Sequence, residues 1–247
     1  MSKNQKKLND VDIVFQVIDW DHTHEETSDG DNTVRKYVIR MYGTTKENKK
    51  IFVKVTNFTP YFYVEIPKHW KTDKIKVFID EVKRRVAKDK TSLKSWDVVE
   101  KHSFEEFTNY KLFKFVRFVF HDYEGFKSYE RVFYKPLGNR LLSIRAIKYR
   151  LFESNIDPVL RFMHHQKLNS CGWAKLPAEK YNIISEKDNP STNEVAIQID
   201  WTKVEAVEDN SMVPLIIAAY DIECYSGDGS FPQPQRDTDK IIQIGTT

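Results

Sequence analysis

Apolar positions change their period several times along the chain, and each change predicts an element. Residues 34–42, 50–55 and 61–66 are short runs rich in β-branched and aromatic side chains, separated by a GTTKENK turn and by Pro60. That composition predicts a small antiparallel sheet. Over residues 73–89, Ile75, Phe78, Ile79, Val82 and Val86 recur at spacings of three and four with Lys and Arg between them. The spacing predicts an amphipathic helix whose basic face is either solvated or turned to phosphate. Residues 110–121 (YKLFKFVRFVFH) read as a strand and 124–134 as a helix closed by Pro136 and Gly138. The pattern of residues 141–152 (LLSIRAIKYRLF) is helical, and Asp157-Pro158 opens a further helix over 159–165. Residues 173–176, 194–201 and 215–224 then read as strands, and another begins at Lys240. Residues 1–10 are a polar tail, and 22–32 (HTHEETSDGDN) read as an acidic, turn-rich loop. Alternating strands and helices over the first 140 residues place the chain in the α+β class.

Composition adds bounds. A chain of 247 residues with 40% hydrophobic and 13% aromatic side chains can bury a substantial core. Its 39 basic and 36 acidic residues leave a formal charge of +3, too small an excess to demand a nucleic-acid partner, although it permits a local basic groove. Cys171 and Cys224 stand far apart without paired spacing, which fits a reducing compartment. The first residues lack an apolar signal region, and no run approaches the ~18 apolar residues of a membrane span. A soluble, intracellular protein with no membrane partner is expected.

Three places carry candidate chemistry. His22 and His24, with Asp21 or Glu25, could hold a metal, or they belong to an exposed loop. In residues 110–121, Lys111, Lys114 and Arg117 interleave with Phe113, Phe115 and Phe118. Such a strand offers stacking faces and charges to single-stranded nucleic acid, or its aromatics form core. The third is Leu215-Ile-Ile-Ala-Ala-Tyr-Asp-Ile-Glu-Cys224, the most apolar run in the chain, which delivers two carboxylates. Acids two apart recur elsewhere, as at Asp19/Asp21 and Asp237/Asp239, so spacing alone says little. Context separates Asp221 and Glu223. Residues i and i+2 of a strand face one side, so both carboxylates point to one spot, as ligands of a hard cation do. The alternative is a pair of solvated acids at a sheet edge.

The stretch Ala219-Tyr-Asp-Ile-Glu-Cys224, followed by Gly229-Ser-Phe-Pro-Gln-Pro-Gln-Arg-Asp237 and Lys240-Ile-Ile-Gln-Ile244, resembles the first exonuclease motif of family B DNA polymerases, especially the delta-like branch. Three more stretches resemble the amino-terminal region of that family, in the family's order: Asn57-Phe-Thr-Pro-Tyr-Phe-Tyr-Val64, Phe152-Glu-Ser-Asn-Ile156 with Leu160-Arg-Phe-Met163, and Cys171-Gly-Trp-Ala-Lys-Leu-Pro-Ala-Glu-Lys-Tyr181. The resemblance implies a mixed α/β amino-terminal domain followed by the first strands of a ribonuclease H-like 3′→5′ exonuclease domain. Asp221 and Glu223 then inherit the binding of Mg²⁺ at a two-ion site, and Phe231 falls where the hairpin runs toward primer DNA. The parent enzyme implied is a replicative polymerase that takes primer–template DNA and deoxynucleotides, in a nucleus or a viral replication compartment. Cys171-Gly-Trp, where delta-like enzymes usually have Asn before the Trp, points to a large DNA virus.

The departures are as informative. The later exonuclease motifs and the polymerase palm do not occur before Thr247, and Asp237-Thr-Asp239 lacks the flanks of the polymerase aspartate motif. The expected organisation is a flexible arm and loop over 1–32, the amino-terminal domain over 33–205, and the start of the exonuclease domain over 206–247. On this reading the chain by itself is inactive, and the remainder of the polymerase, in the same chain or a second polypeptide, completes it. The competing expectation is a stand-alone single-stranded nucleic-acid binding module built on Lys111, Lys114, Phe115 and Arg117.

Overall fold

The fold begins with a hairpin of strands β1 (Ile13–Asp29) and β2 (Asn32–Thr44). They are followed by β3 (Lys50–Thr56), β4 (Tyr61–Ile66), α1 (Thr72–Arg85), β5 (Leu93–His102), β6 (Leu112–Phe120), α2 (Tyr123–Val132), β7 (Leu137–Asn139), β8 (Ile144–Ile147), β9 (Leu151–Phe152) and α3 (Pro158–Gln166). Strands β10 (Trp173–Leu176), β11 (Tyr181–Ile183), β12 (Val195–Asp200), β13 (Glu205–Val207), β14 (Tyr220–Tyr225) and β15 (Lys240–Thr246) complete the chain. The computed structural model describes residues 10–29, 32–86, 92–103, 107–139 and 144–247. It separates into two units, one ending at Met212 and the other spanning Val213–Thr247.

In the first unit the described strands form two main sheets. One runs in the order β11-β12-β3-β2-β1-β10-β13, antiparallel except for the parallel β12–β3 pair. Alternate residues of its strands, such as Phe15, Val17, Ile39, Met41, Val53 and Val55, point into one core against Phe162 and Met163 of α3. Gly43 is required there. A Cβ at that position would lie 2.3 Å from the Gln16 carbonyl oxygen and 2.4 Å from the Phe15 ring. The other sheet, β5-β6-β4-β9, packs one face on α1 and α2 through Phe62, Val64, Val116, Phe118 and Phe120. Helix α1 presents Ile75, Phe78, Ile79 and Val82 to that core, the stripe its sequence predicts. Each such side chain contributes about 1.5–3 kcal/mol on burial. Helices α2 and α3 start at aspartate caps: Asp122 accepts from the Gly125 N–H at 2.6 Å and Asp157 from the Val159 N–H at 2.7 Å.

Four expectations are corrected. Residues 22–29 are not a loop but the outer half of β1, so the arm expected over 1–32 is strand from Ile13 to Asp29; residues 1–9 and 30–31 lie outside the described residues. The charges there are accommodated across the ladder, with Asp21 paired to Arg40, Glu25 to Lys54 at 2.6 Å, and His22 stacked on Tyr37. Residues 144–152 are not helical. They form β8 and β9, because Leu151 and Phe152 complete the edge of β4 by pairing with Val64 and Tyr63. The strand β4 does not join β2 and β3 but belongs to the second sheet. Residues 215–219 are exposed and lie outside any strand; Ile216 is 99% exposed.

The second unit holds the antiparallel hairpin β14–β15. Among the described residues no helix is long and apolar enough to cross a membrane.

Candidate functional site

Asp221 and Glu223 lie on β14, opposite Gly245 and Gln243 of β15. Their i, i+2 relation puts both carboxylates on one face of the hairpin, and both are exposed. Asp221 Oδ1 accepts a hydrogen bond from the Ile222 N–H at 2.9 Å. Gly245 has no side chain to cover Asp221. Beyond Glu223 a bulge shifts the register so that Cys224 faces Ile241. Ile222, on the other face, lines an open apolar cleft of about 770 Å³ with Cys224, Phe231, Pro232, Pro234 and Ile241. Phe231 is 84% exposed beside it.

Acids that are not on this face hold the hairpin's connection. Asp228 accepts from the Ser230 hydroxyl, from the Ser230 N–H at 2.9 Å and from the Ser226 hydroxyl, and these donors hold its carboxyl down at about 2; it also accepts from Arg236 at 2.9 Å. Asp239 accepts from the Gln233 N–H at 2.9 Å and the Gly227 N–H at 3.4 Å, so its carboxyl is also lowered. Asp239 is therefore a staple of this loop. Gly229, at φ 76°, supplies the left-handed turn.

Carboxylate oxygens suit a hard cation such as Mg²⁺, and two exposed acids on one face can hold one ion that keeps several waters. A two-ion site normally needs more donors. Among the described residues no group of three or more His, Cys, Asp or Glu side chains could hold a metal. Asp221 and Glu223 thus fit part of a two-ion site, and the donor set falls short of the whole.

The strand candidates are divided by the pleat. Phe113, Phe115 and Arg117 face away from the helices, whereas Lys114 faces them and donates to the Trp70 carbonyl at 2.7 Å. Phe115 is 3% exposed, edge-on to Phe152 at 5.2 Å, and offers no free stacking face. Arg117 donates to Asp97 at 2.8 Å. Lys111, just before β6, lies 5.4 Å from the Phe113 ring centroid. The four residues do not form one surface. His24 is also engaged, accepting from the Tyr123 N–H at 3.2 Å beside Glu124 at 3.0 Å.

One cluster escaped the sequence reading. Arg161 of α3 lies over the Tyr61 ring at 3.9 Å and binds both the carboxylate and the carbonyl of Glu153, while the Tyr61 hydroxyl meets His165 at 2.9 Å. Arg161 and Tyr61 stand in two of the family-like stretches, but nothing in their spacing predicts the contact.

Comparison with known proteins agrees with the motifs. Residues 149–247 match the family described as DNA polymerase family B, exonuclease domain. The chain is 37% identical over 94% of its length to the DNA polymerase of Acanthamoeba polyphaga mimivirus, and 27% identical over 94% to the DNA polymerase delta catalytic subunit of Dictyostelium discoideum. It spans only 14% and 22% of those relatives. The family B DNA polymerase of the hyperthermophilic archaeon Pyrobaculum calidifontis shares the fold with a TM-score of 0.61 over 94% of this chain, at 19% identity and 25% of that structure. The class defined is an α+β polymerase region that runs into an exonuclease domain. In sequence the chain is similar to DNA polymerases, residues 149–247 to the exonuclease domain of family B, and it shares its fold with a family B enzyme.

Proposed function

We propose that this chain is the amino-terminal region of a replicative family B polymerase that synthesises DNA from deoxynucleotides on primer–template and proofreads it 3′→5′. Residues 33–205 serve as its amino-terminal domain and 206–247 begin the exonuclease domain. The observation that carries the reading is the exposed Asp221/Glu223 pair on one face of β14, inside the stretch that matches the family's exonuclease domain. Divalent ions such as Mg²⁺ bound at such a site would stabilise charge on the attacking and leaving oxygens. Asp221 and Glu223 would supply part of the ligands, and the rest of the polymerase, in one chain or a second polypeptide, would supply the others. Viral and delta-type relatives favour work in a viral replication compartment or a nucleus.

Because the donor set is short, the 247-residue chain incubated with Mg²⁺ and a labelled primer should leave the 3′ end intact. Shortening of the primer that disappears in Asp221→Ala would overturn the expectation that this chain alone is inactive, while an intact Asp221/Glu223 requirement in the longer enzyme tests the proofreading role itself.

A further inference from the structure

A basic cleft of about 340 Å³ lies in the first unit. Lys68, Lys111, Lys114, Lys148 and Arg150 line it against one acid, Glu65, with Phe113 in the wall. Three separate segments converge there: the turn after β4, the start of β6, and residues 147–150 between β8 and β9. The frame is fixed. The Glu65 N–H donates to the Arg150 carbonyl at 3.1 Å, and Lys114 is held by the Trp70 carbonyl. Lys68, Lys111 and Lys148 are exposed and form no ion pair with any described residue. A chain with a net charge of only +3 has no solubility need to gather five cations around one concavity.

We propose that this cleft binds a nucleotide unit, its phosphate among Lys68, Lys111, Lys148 and Arg150 and its base against Phe113. The cations supply the phosphate contacts, which position without reading sequence. The ring supplies a stacking face, to which any base can bind. The volume falls at the small end of ligand sites, ~300–1,000 Å³, and admits one nucleotide. The nucleotide is either free or one unit of a single strand. This site is independent of Asp221 and Glu223 and stands or falls apart from the proofreading proposal.

The test is fluorescence anisotropy of the full chain with a labelled oligothymidylate of about eight nucleotides, a length within the usual single-strand site sizes, and with thymidine monophosphate as competitor. Lys111→Ala with Lys148→Ala should weaken binding about tenfold or more and lower the salt slope by about 1.4, at ~0.7 per lost phosphate contact. Phe113→Leu should weaken binding with the slope unchanged, and Lys148→Arg should retain it. Equal melting temperatures confirm that the variants fold; should the double variant melt early, Lys68→Gln and Lys148→Gln, made singly, should each weaken binding and lower the slope by about 0.7. Binding of the strand without displacement by the mononucleotide assigns the site to a strand, and efficient displacement assigns it to a free nucleotide. The proposal is overturned if neither probe binds, or if the lysine variants keep wild-type affinity and salt slope.

Discussion

Replacing Arg161 by Ala should destabilise the first unit by about 2–4 kcal/mol. The side chain is 4% exposed and makes three contacts that Ala cannot make. Its Nη2 donates to the Glu153 carbonyl at 2.6 Å, a charge-assisted bond of about 1.5 kcal/mol or more. Its Nη1 meets the Glu153 carboxylate at 2.6 Å, but that carboxylate is 40% exposed, so the pair is discounted to at most about 1 kcal/mol. The guanidinium lies 3.9 Å from the Tyr61 centroid, which adds about 0.5–2 kcal/mol. Glu153 itself sits at φ 60°, a conformation costing a non-glycine residue about 1–2 kcal/mol, and Arg161 is what fastens it. Since α3 belongs to one core and Tyr61 to a strand of the other sheet, the contact ties the two sheets together. Urea unfolding followed by tryptophan fluorescence should show the midpoint lowered by about 1 M, at a slope of about 2–3 kcal/mol/M. Arg161→Met, which keeps the apolar stem, should lose roughly half as much. A midpoint within about 0.2 M of wild type for Arg161→Ala would show that the cluster contributes nothing and refute the reasoning.

Two further expectations concern the same unit. Burial pushes the imidazoles of His24 and His165 below their ordinary value, against the neighbouring Glu124 carboxylate for His24 and with Arg161 for His165. The folded protein thus binds fewer protons than the unfolded chain. The stability this contributes is complete above the unfolded value of 6.5 and is lost as the pH falls through the depressed folded values. The melting temperature should drop between about pH 7.5 and 5, and His24→Gln with His165→Gln should flatten that drop; an equally steep drop in the double variant contradicts the assignment. Asp122→Ala, which removes the cap of α2, should cost about 1–2 kcal/mol in the same urea assay, and a cost below about 0.3 kcal/mol would contradict its role.

Where one period dominates, the sequence was legible. The stripe Ile75, Phe78, Ile79, Val82 gave α1, and Asp157-Pro158 gave the start of α3, because caps and helical spacing act locally. Strand β1 was not legible at all, and in its outer half the acidic residues are balanced by Arg40 and Lys54 on neighbouring strands, which local pattern cannot show. Residues 141–152 carry a spacing compatible with a helix, yet the unpaired edge of β4 decides for strand at Leu151 and Phe152. Strand β5 escaped because its residues are exposed or half-exposed and show no sustained alternation. At the site, the common face of Asp221 and Glu223 follows from the two-residue period alone. The exposure of residues 215–217 does not, because apolarity specifies a preference for burial and not what covers the surface. The division of Lys114 from Phe115 was implicit in the same period, but the Trp70 carbonyl that holds Lys114 lies 44 residues away.

The most direct measurement of the proofreading account uses the natural protein that contains this chain. Purified from its source or expressed from the complete reading frame, it should extend a primer and, with Mg²⁺, remove a mispaired 3′ nucleotide. Asp221→Ala and Glu223→Ala should each abolish removal while primer extension persists. Removal at the wild-type rate in both variants would show that the two carboxylates are not metal ligands and would contradict the account.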